Sequence, residues 1–310
     1  MPERLGLGLI PGTGWRAEEI RSVALQAEQA GFDAVFCAEV NNDAVATAQL
    51  MGEATERIKV GTWVANICLR HPYLCAKAAA LAADATGGRM ILGLGVSHQP
   101  VNRALGIDMP EPASALRNYA VEVASWLRGE GPATHLPQQP SAYPVPIHLA
   151  ALTSQNVELA GEIADGVMPI WWSVERVARS KRWVERGRAK SPGRGKLDMT
   201  LGLPTFVGDD VAALRDAARA NLGFFTALPF FQRLMRASGF ADEADKAEQG
   251  AGGDSLSEQL LDAICLIGSV SRCRDRLAEY RAAGLDLPIL WPGVGFGVDG
   301  ARAVIAAFSQ

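Results

Sequence analysis

Ser97 and His98 stand at the end of an apolar run, residues 90–96, that itself follows the pair Gly87 and Gly88. Turn, apolar strand and polar tip in that order is how a buried parallel strand carries chemistry to a rim. The glycines accept the positive φ of a tight turn, and the first polar groups past the strand's C-terminal end lie where open α/β sheets and β/α barrels keep their active sites. Gly93 and Gly95 thin one side of the run, so backbone or ligand can approach closely. An imidazole titrates near neutrality and can both give and take a proton, which makes His98 the candidate acid or base. A capping Ser beside a surface His is the plainer reading of the same two residues. Glu39 is the second candidate: a carboxylate past the end of residues 32–37, able to hydrogen-bond or polarise a bound molecule, or simply a surface charge. Of the remaining histidines, His71 precedes Pro72 and suits a helix cap, His148 sits among apolar neighbours as a core residue, and His135 falls in a loop.

These residues need elements to hold them, and the chain supplies a regular alternation. Residues 5–10, 32–37, 57–64, 90–96, 146–151, 166–170, 197–207 and 287–291 read as strands. Helical spacing fills most intervals, at 16–30, 44–52, 72–85, 113–127, 154–164, 174–188, 211–221, 271–283 and 301–308, with Pro72 at a first helical position and Ser154 as an N-cap. Residues 102–112 read as irregular, 129–146 as a Pro- and Gln-rich excursion, and 224–261 as a departure from the rhythm containing a mobile loop at 249–254. Eight strands alternating with helices, without a linker-like break, predict a single (β/α)8 TIM barrel domain over 1–310, with an insertion at about 225–260 over the C-terminal rim. A doubly wound sheet needs only six strands and is the runner-up.

Composition narrows the function classes. The chain has 310 residues, 48% of them apolar and 21% charged, with a net charge of −4. Acidic and basic residues are interspersed, so neither nucleic acid nor a membrane surface is expected as a partner. Residues 5–10 are too short an apolar run for a signal peptide and no stretch reaches membrane-spanning length, so the expected location is cytoplasmic. The five cysteines are scattered without a CxxC pair, which suits a reducing compartment and gives no metal site.

Several ordered motifs carry a resemblance. Gly31-Phe-Asp-Ala-Val-Phe36 followed by Glu39, Arg57-Ile-Lys-Val-Gly-Thr62 running into Arg70-His-Pro72, Gly88-Arg89 to Gly95, and Pro146-Ile147 to Ala164-Asp-Gly166 are similar to successive signatures of the bacterial luciferase-like oxidoreductase superfamily. So is the tail, Ile267-Gly268 with Ala283-Gly-Leu-Asp286. The likeness spans 4–170 and 262–292. It implies a barrel enzyme with an isoalloxazine-type cofactor, coenzyme F420 or FMN, across the C-terminal mouth. Val96-Ser97-His98 is similar to the strand ending of deazaflavin-dependent members, which points to F420.

The resemblance also implies roles. Thr62, Trp63 and Val64 match a bulge with a non-prolyl cis peptide that backs the cofactor's central ring. Ala151, Leu152, Thr153 and Ser154 match the turn whose amides hold its phosphate, although Leu152-Thr153 departs from the glycines common there. Glu39 matches a Glu-His pair whose His is replaced here by Val40. Trp171 and Trp172, just past the sixth strand, have the address of a substrate wall, in an aromatic setting with Trp63, Phe224, Phe225, Phe230 and Phe231. The implied reaction is hydride transfer between F420 and an apolar or conjugated small organic molecule, with His98 managing the proton. The alternatives are an FMN monooxygenase served by a separate cofactor reductase, or a catalytically silent partner barrel. Relatives pair through barrel helices, so a homodimer is expected, with the alanine stripe 76–83 as a candidate face.

Overall fold

The computed structural model describes residues 3–109, 111–132 and 136–309, so His135 lies outside the described residues. Ten parallel strands follow in chain order: β1 (Gly6–Leu9), β2 (Ala34–Cys37), β3 (Lys59–Thr62), β4 (Ala65–Asn66), β5 (Met90–Gly95), β6 (Ile147–Leu149), β7 (Gly166–Val167), β8 (Asp198–Val207), β9 (Leu266–Gly268) and β10 (Leu287–Trp291). Hydrogen bonding runs β10-β1-β2-β3-β5-β6-β7-β8, and β8 pairs back to β10, so eight strands close a barrel surrounded by helices. The (β/α)8 barrel is thus the architecture. β1, β2, β5 and β10 are buried along their whole length, as parallel strands covered on both faces must be.

Two strands lie off the ring. β4 continues the line of β3 and pairs with the end of β5. The first part of β8 joins β10 through Leu287↔Thr200 to Trp291↔Pro204, while Thr205–Val207 runs on and pairs with β9. β9 was outside the predicted strand set because three residues are too few to show a period.

Gly93 explains how β5 fits the ring. A Cβ on it would stand 2.2 Å from the Thr62 carbonyl oxygen and 2.6 Å from the Met168 sulfur, so the close approach expected at this strand is made by the protein's own backbone. Gly93→Ala is expected to destabilise the fold by about 1–3 kcal/mol, the usual range for overpacking. Urea denaturation measures it, and an unchanged midpoint would refute the packing argument.

Helix boundaries mostly follow the predicted pattern, with differences in detail. A short helix, Gln99–Ala104, begins directly after His98 and runs into the start of the segment read as irregular. Thr153, not Ser154, is the N-cap of the Ser154–Ile163 helix: its backbone is extended, and its hydroxyl accepts the Asn156 N–H at 3.2 Å. Residues 224–261 are mainly helical, with Pro229–Ala237, Ala241–Glu248 and Glu258–Ile264 separated by short turns. Half of the loop read as mobile forms a 3-10 turn, Gly252–Ser255, whose Ser255 is buried. Such short helices carry barely two turns of apolar period, which is why the pattern did not announce them.

His71 caps the Pro72–Ala85 helix as its sequence context suggests, with Nδ1 accepting the Tyr73 N–H at 3.2 Å. On that helix Ala76, Ala79, Ala82 and Ala83 are buried within this one chain, so these four alanines pack into the core. Leu74 and Leu81 are the exposed apolar residues there. Among the described residues no helix is long and apolar enough to cross a membrane, and no group of metal-ligating side chains gathers.

Candidate active site

A cavity of about 250 Å³ opens at the C-terminal ends of the barrel strands, and the tips of several strands converge on it. Glu39 reaches it from past β2, Trp63 and Val64 from between β3 and β4, Val96, Ser97 and His98 from past β5, and Ala151, Leu152 and Thr153 from past β6. Phe225, Phe230 and Phe231 close one side and Trp291 of β10 the floor, so most of the wall is apolar.

His98 occupies the aromatic side. Ser97 takes a positive φ of 59°, unusual for a residue with a side chain, and turns the chain sharply out of β5. The His98 ring then lies with its centroid 6.0 Å from that of Phe225 and 5.9 Å from that of Phe231. Among the described residues its nitrogens make no hydrogen bond to protein, which leaves both free for a ligand. Burial holds its imidazole below the ordinary value of 6.5, so at pH 7 the ring is neutral and able to accept a proton. His148 is buried in the barrel with Nδ1 unpaired among the described residues and Nε2 4.0 Å from Asp198, and it does not line the cavity.

Glu39 also lines the cavity, yet its carboxylate is engaged by the frame. Oε2 accepts the Asn66 N–H at 2.6 Å, and Oε1 accepts both the Ala44 N–H and the Arg70 guanidinium. Asn66 continues the chain of contacts: its Nδ2 donates to Asn102 Oδ1 at 2.8 Å, and Asn102 Nδ2 donates to the Val96 carbonyl at 2.9 Å. A buried polar network thus runs from Arg70 through Glu39, Asn66 and Asn102 to the backbone just before Ser97. Its members set where the turn carrying His98 sits. Asn66 and Asn102 escape sequence reading because a lone asparagine carries no periodic signal.

The residues implied to hold a cofactor divide. The Trp63–Val64 peptide bond is cis, at the position the resemblance indicated. Thr62 is fully buried and bonds Gly93 O at 2.7 Å, so it does not reach the cavity. Ser154 borders a different space, a polar cleft of about 530 Å³ beyond the start of its helix, where Arg117 pairs with Glu162 and both Arg186 and Lys190 pair with Glu158.

Trp171 and Trp172 do not form the wall that their address suggested. Trp171 stands behind it, its ring 4.9 Å from Phe231 and 5.6 Å from Phe225. Trp172 turns outward onto Trp183 and Arg176. The reason lies in the backbone: Trp171 has a φ of 59°, which redirects the chain, and the inserted Phe225 and Phe231 take the lining position instead. Phe224, next in line, is exposed.

A profile of the family described as luciferase-like monooxygenase matches residues 5–287. The chain belongs to that family. A putative coenzyme F420-dependent oxidoreductase of Mycobacterium tuberculosis is 31% identical to it, the match covering 86% of this chain and 88% of the relative. A 5,10-methylenetetrahydromethanopterin reductase of Methanolobus tindarius is 27% identical over the same shares of the two chains. Among solved structures, the coenzyme F420-dependent tetrahydromethanopterin reductase of Methanopyrus kandleri superposes with a TM-score of 0.80 at 20% identity, covering 100% of this chain and 98% of that one. This last likeness concerns the fold. As a luciferase-like family member the chain is an oxidoreductase.

Proposed function

We propose that this protein transfers a hydride between coenzyme F420 and an apolar or conjugated small organic molecule. The observation that carries the reading is the cavity itself: a neutral His98 without a hydrogen-bond partner among the described residues, set against an aromatic wall at the mouth of the barrel. The residues suit a planar conjugated ring bearing an anionic arm. The apolar walls fit the ring, and the turn at Ala151, Leu152 and Thr153 leads into a helix whose first amides lack internal acceptors. A deazaflavin, when bound, supplies the hydride at C5 and the protein supplies position and protonation.

Within that frame each side chain has a defined task. His98 accepts or returns the proton that accompanies the hydride at a substrate oxygen or carbon. Phe225, Phe230 and Phe231 exclude water from the transfer path. Glu39 and Asn102 hold the turn that presents His98. The name borne by the Mycobacterium relative, and the polar cleft on the far side of the helix start, both support F420 over FMN, since FMN ends at its phosphate and F420 continues beyond it.

Titration of the purified protein with F420 and with FMN, followed by fluorescence, tests this reading. Tighter binding of F420 is the expected result. Clear preference for FMN would overturn it in favour of an oxygen-activating monooxygenase supplied by a separate reductase, and binding of a cofactor without any cofactor-dependent turnover would indicate a silent barrel.

A further inference from the structure

Arg176 is 6% exposed, and among the described residues no carboxylate lies within ion-pair distance of it. Its guanidinium sits 5.3 Å from the ring centroids of both Trp172 and Trp183, Nε has no partner among the described residues, and the neighbouring charge acting on it is a further cation, Arg179. Burial brings it down to about 10, which leaves it charged at neutral pH. A buried charge without a counter-ion is costly, so the contacts that hold this one are informative.

Among the described residues its guanidinium makes one hydrogen bond. Nη2 donates to the Leu152 carbonyl oxygen at 2.7 Å, across 24 residues, in the turn that borders the cavity. The Leu152–Thr153 peptide is trans, so carbonyl and N–H point in opposite directions. With the carbonyl held by Arg176, the Thr153 N–H faces away from it. Thr153 in turn caps the helix through its hydroxyl, which fixes the other end of the same turn.

We infer that Arg176 is a positioning residue for the cofactor's phosphate, replacing with a clamped carbonyl and a buried cation the freedom that glycines at 152 and 153 would give. The inference rests on the reading of this turn as the phosphate site. Glycine amides can rotate to meet an anion; Leu152 and Thr153 cannot do so as easily, and Arg176 locks them in one orientation while adding positive potential behind the turn. The aromatic clamp of Trp172 and Trp183 keeps the guanidinium in place, which gives Trp172 a task beside the site and not in its wall.

The test compares ligands that differ only in the phosphate: a deazaflavin with a ribityl 5′-phosphate against the same chromophore with a free 5′ hydroxyl, and FMN against riboflavin. The measured quantity is the ratio of dissociation constants within a pair, which general loosening of the fold does not alter. Wild type is expected to favour the phosphorylated member. Arg176→Gln, which keeps a donor but loses the charge, should reduce that ratio roughly tenfold, while Arg176→Lys should largely keep it. Inorganic phosphate at millimolar concentration gives a second readout, raising the melting temperature of wild type and Arg176→Lys but not of Arg176→Gln. Equal ratios in the Gln and Lys variants would overturn the role of Arg176. Absence of any phosphate preference in wild type would instead overturn the reading of the turn.

Discussion

His98→Gln is expected to lower turnover by roughly two to four orders of magnitude, the usual worth of general acid–base catalysis, while cofactor affinity changes by less than about tenfold. The glutamine amide preserves a hydrogen bond at the same place, between Phe225 and Phe231, but cannot take up a proton. The pH profile adds a second arm. Burial pushes the imidazole below 6.5, so it is neutral at pH 7 and gains its proton only as pH falls below that value. In the direction that oxidises the organic substrate, His98 must be neutral, and the wild-type rate should therefore be flat above neutrality and fall on the acid side. The variant should lose that acid limb. Near wild-type turnover in His98→Gln with saturating cofactor and substrate from pH 6 to 8 would remove the proton role and leave His98 as a contact only.

Arg70→Met is expected to destabilise the protein by about 3–5 kcal/mol, the range found when one member of a buried ion pair is removed and the other is left without compensation. The side chains of Glu39 and Arg70 are 3% and 11% exposed, which places the pair well outside the surface class worth under about 1 kcal/mol. Glu39 would keep the Asn66 and Ala44 amides but lose its counter-charge, and the chain of contacts to Asn102 and Val96 would loosen with it. Urea denaturation at pH 7 gives the number. The double variant Glu39→Leu with Arg70→Met should recover part of the loss, because no buried charge is then left alone. A single-variant effect below about 1 kcal/mol would show that water reaches the pair and that Glu39 is free to act on a ligand.

Much of the architecture could be read before any coordinates. The strand and helix periods led to a closed barrel because each barrel strand is a short apolar run and each helix a local stripe, and both are properties of neighbours in sequence. The address of Ser97 and His98, one step past β5, follows from the same logic, and both line the cavity. The turn at 151–153 was legible too, although the cap fell on Thr153 and not on Ser154, since which of two adjacent hydroxyls caps depends on one backbone angle. Trp171 and Trp172 show where an address stops being informative. Position along the chain placed them at the mouth, and a single positive φ sent both rings elsewhere.

By itself the sequence determined the barrel, the rim on which the chemistry sits and the residues that end each strand, because these depend on period, chain direction and turn chemistry. The tertiary structure alone decided which polar side chains act as frame and which remain free. Glu39 meets Arg70 across 31 residues, Asn66 meets Asn102 across 36, and Arg176 meets Leu152 across 24. Such pairings depend on rotamers and on the angles between loops that leave different strands, and no local pattern encodes those.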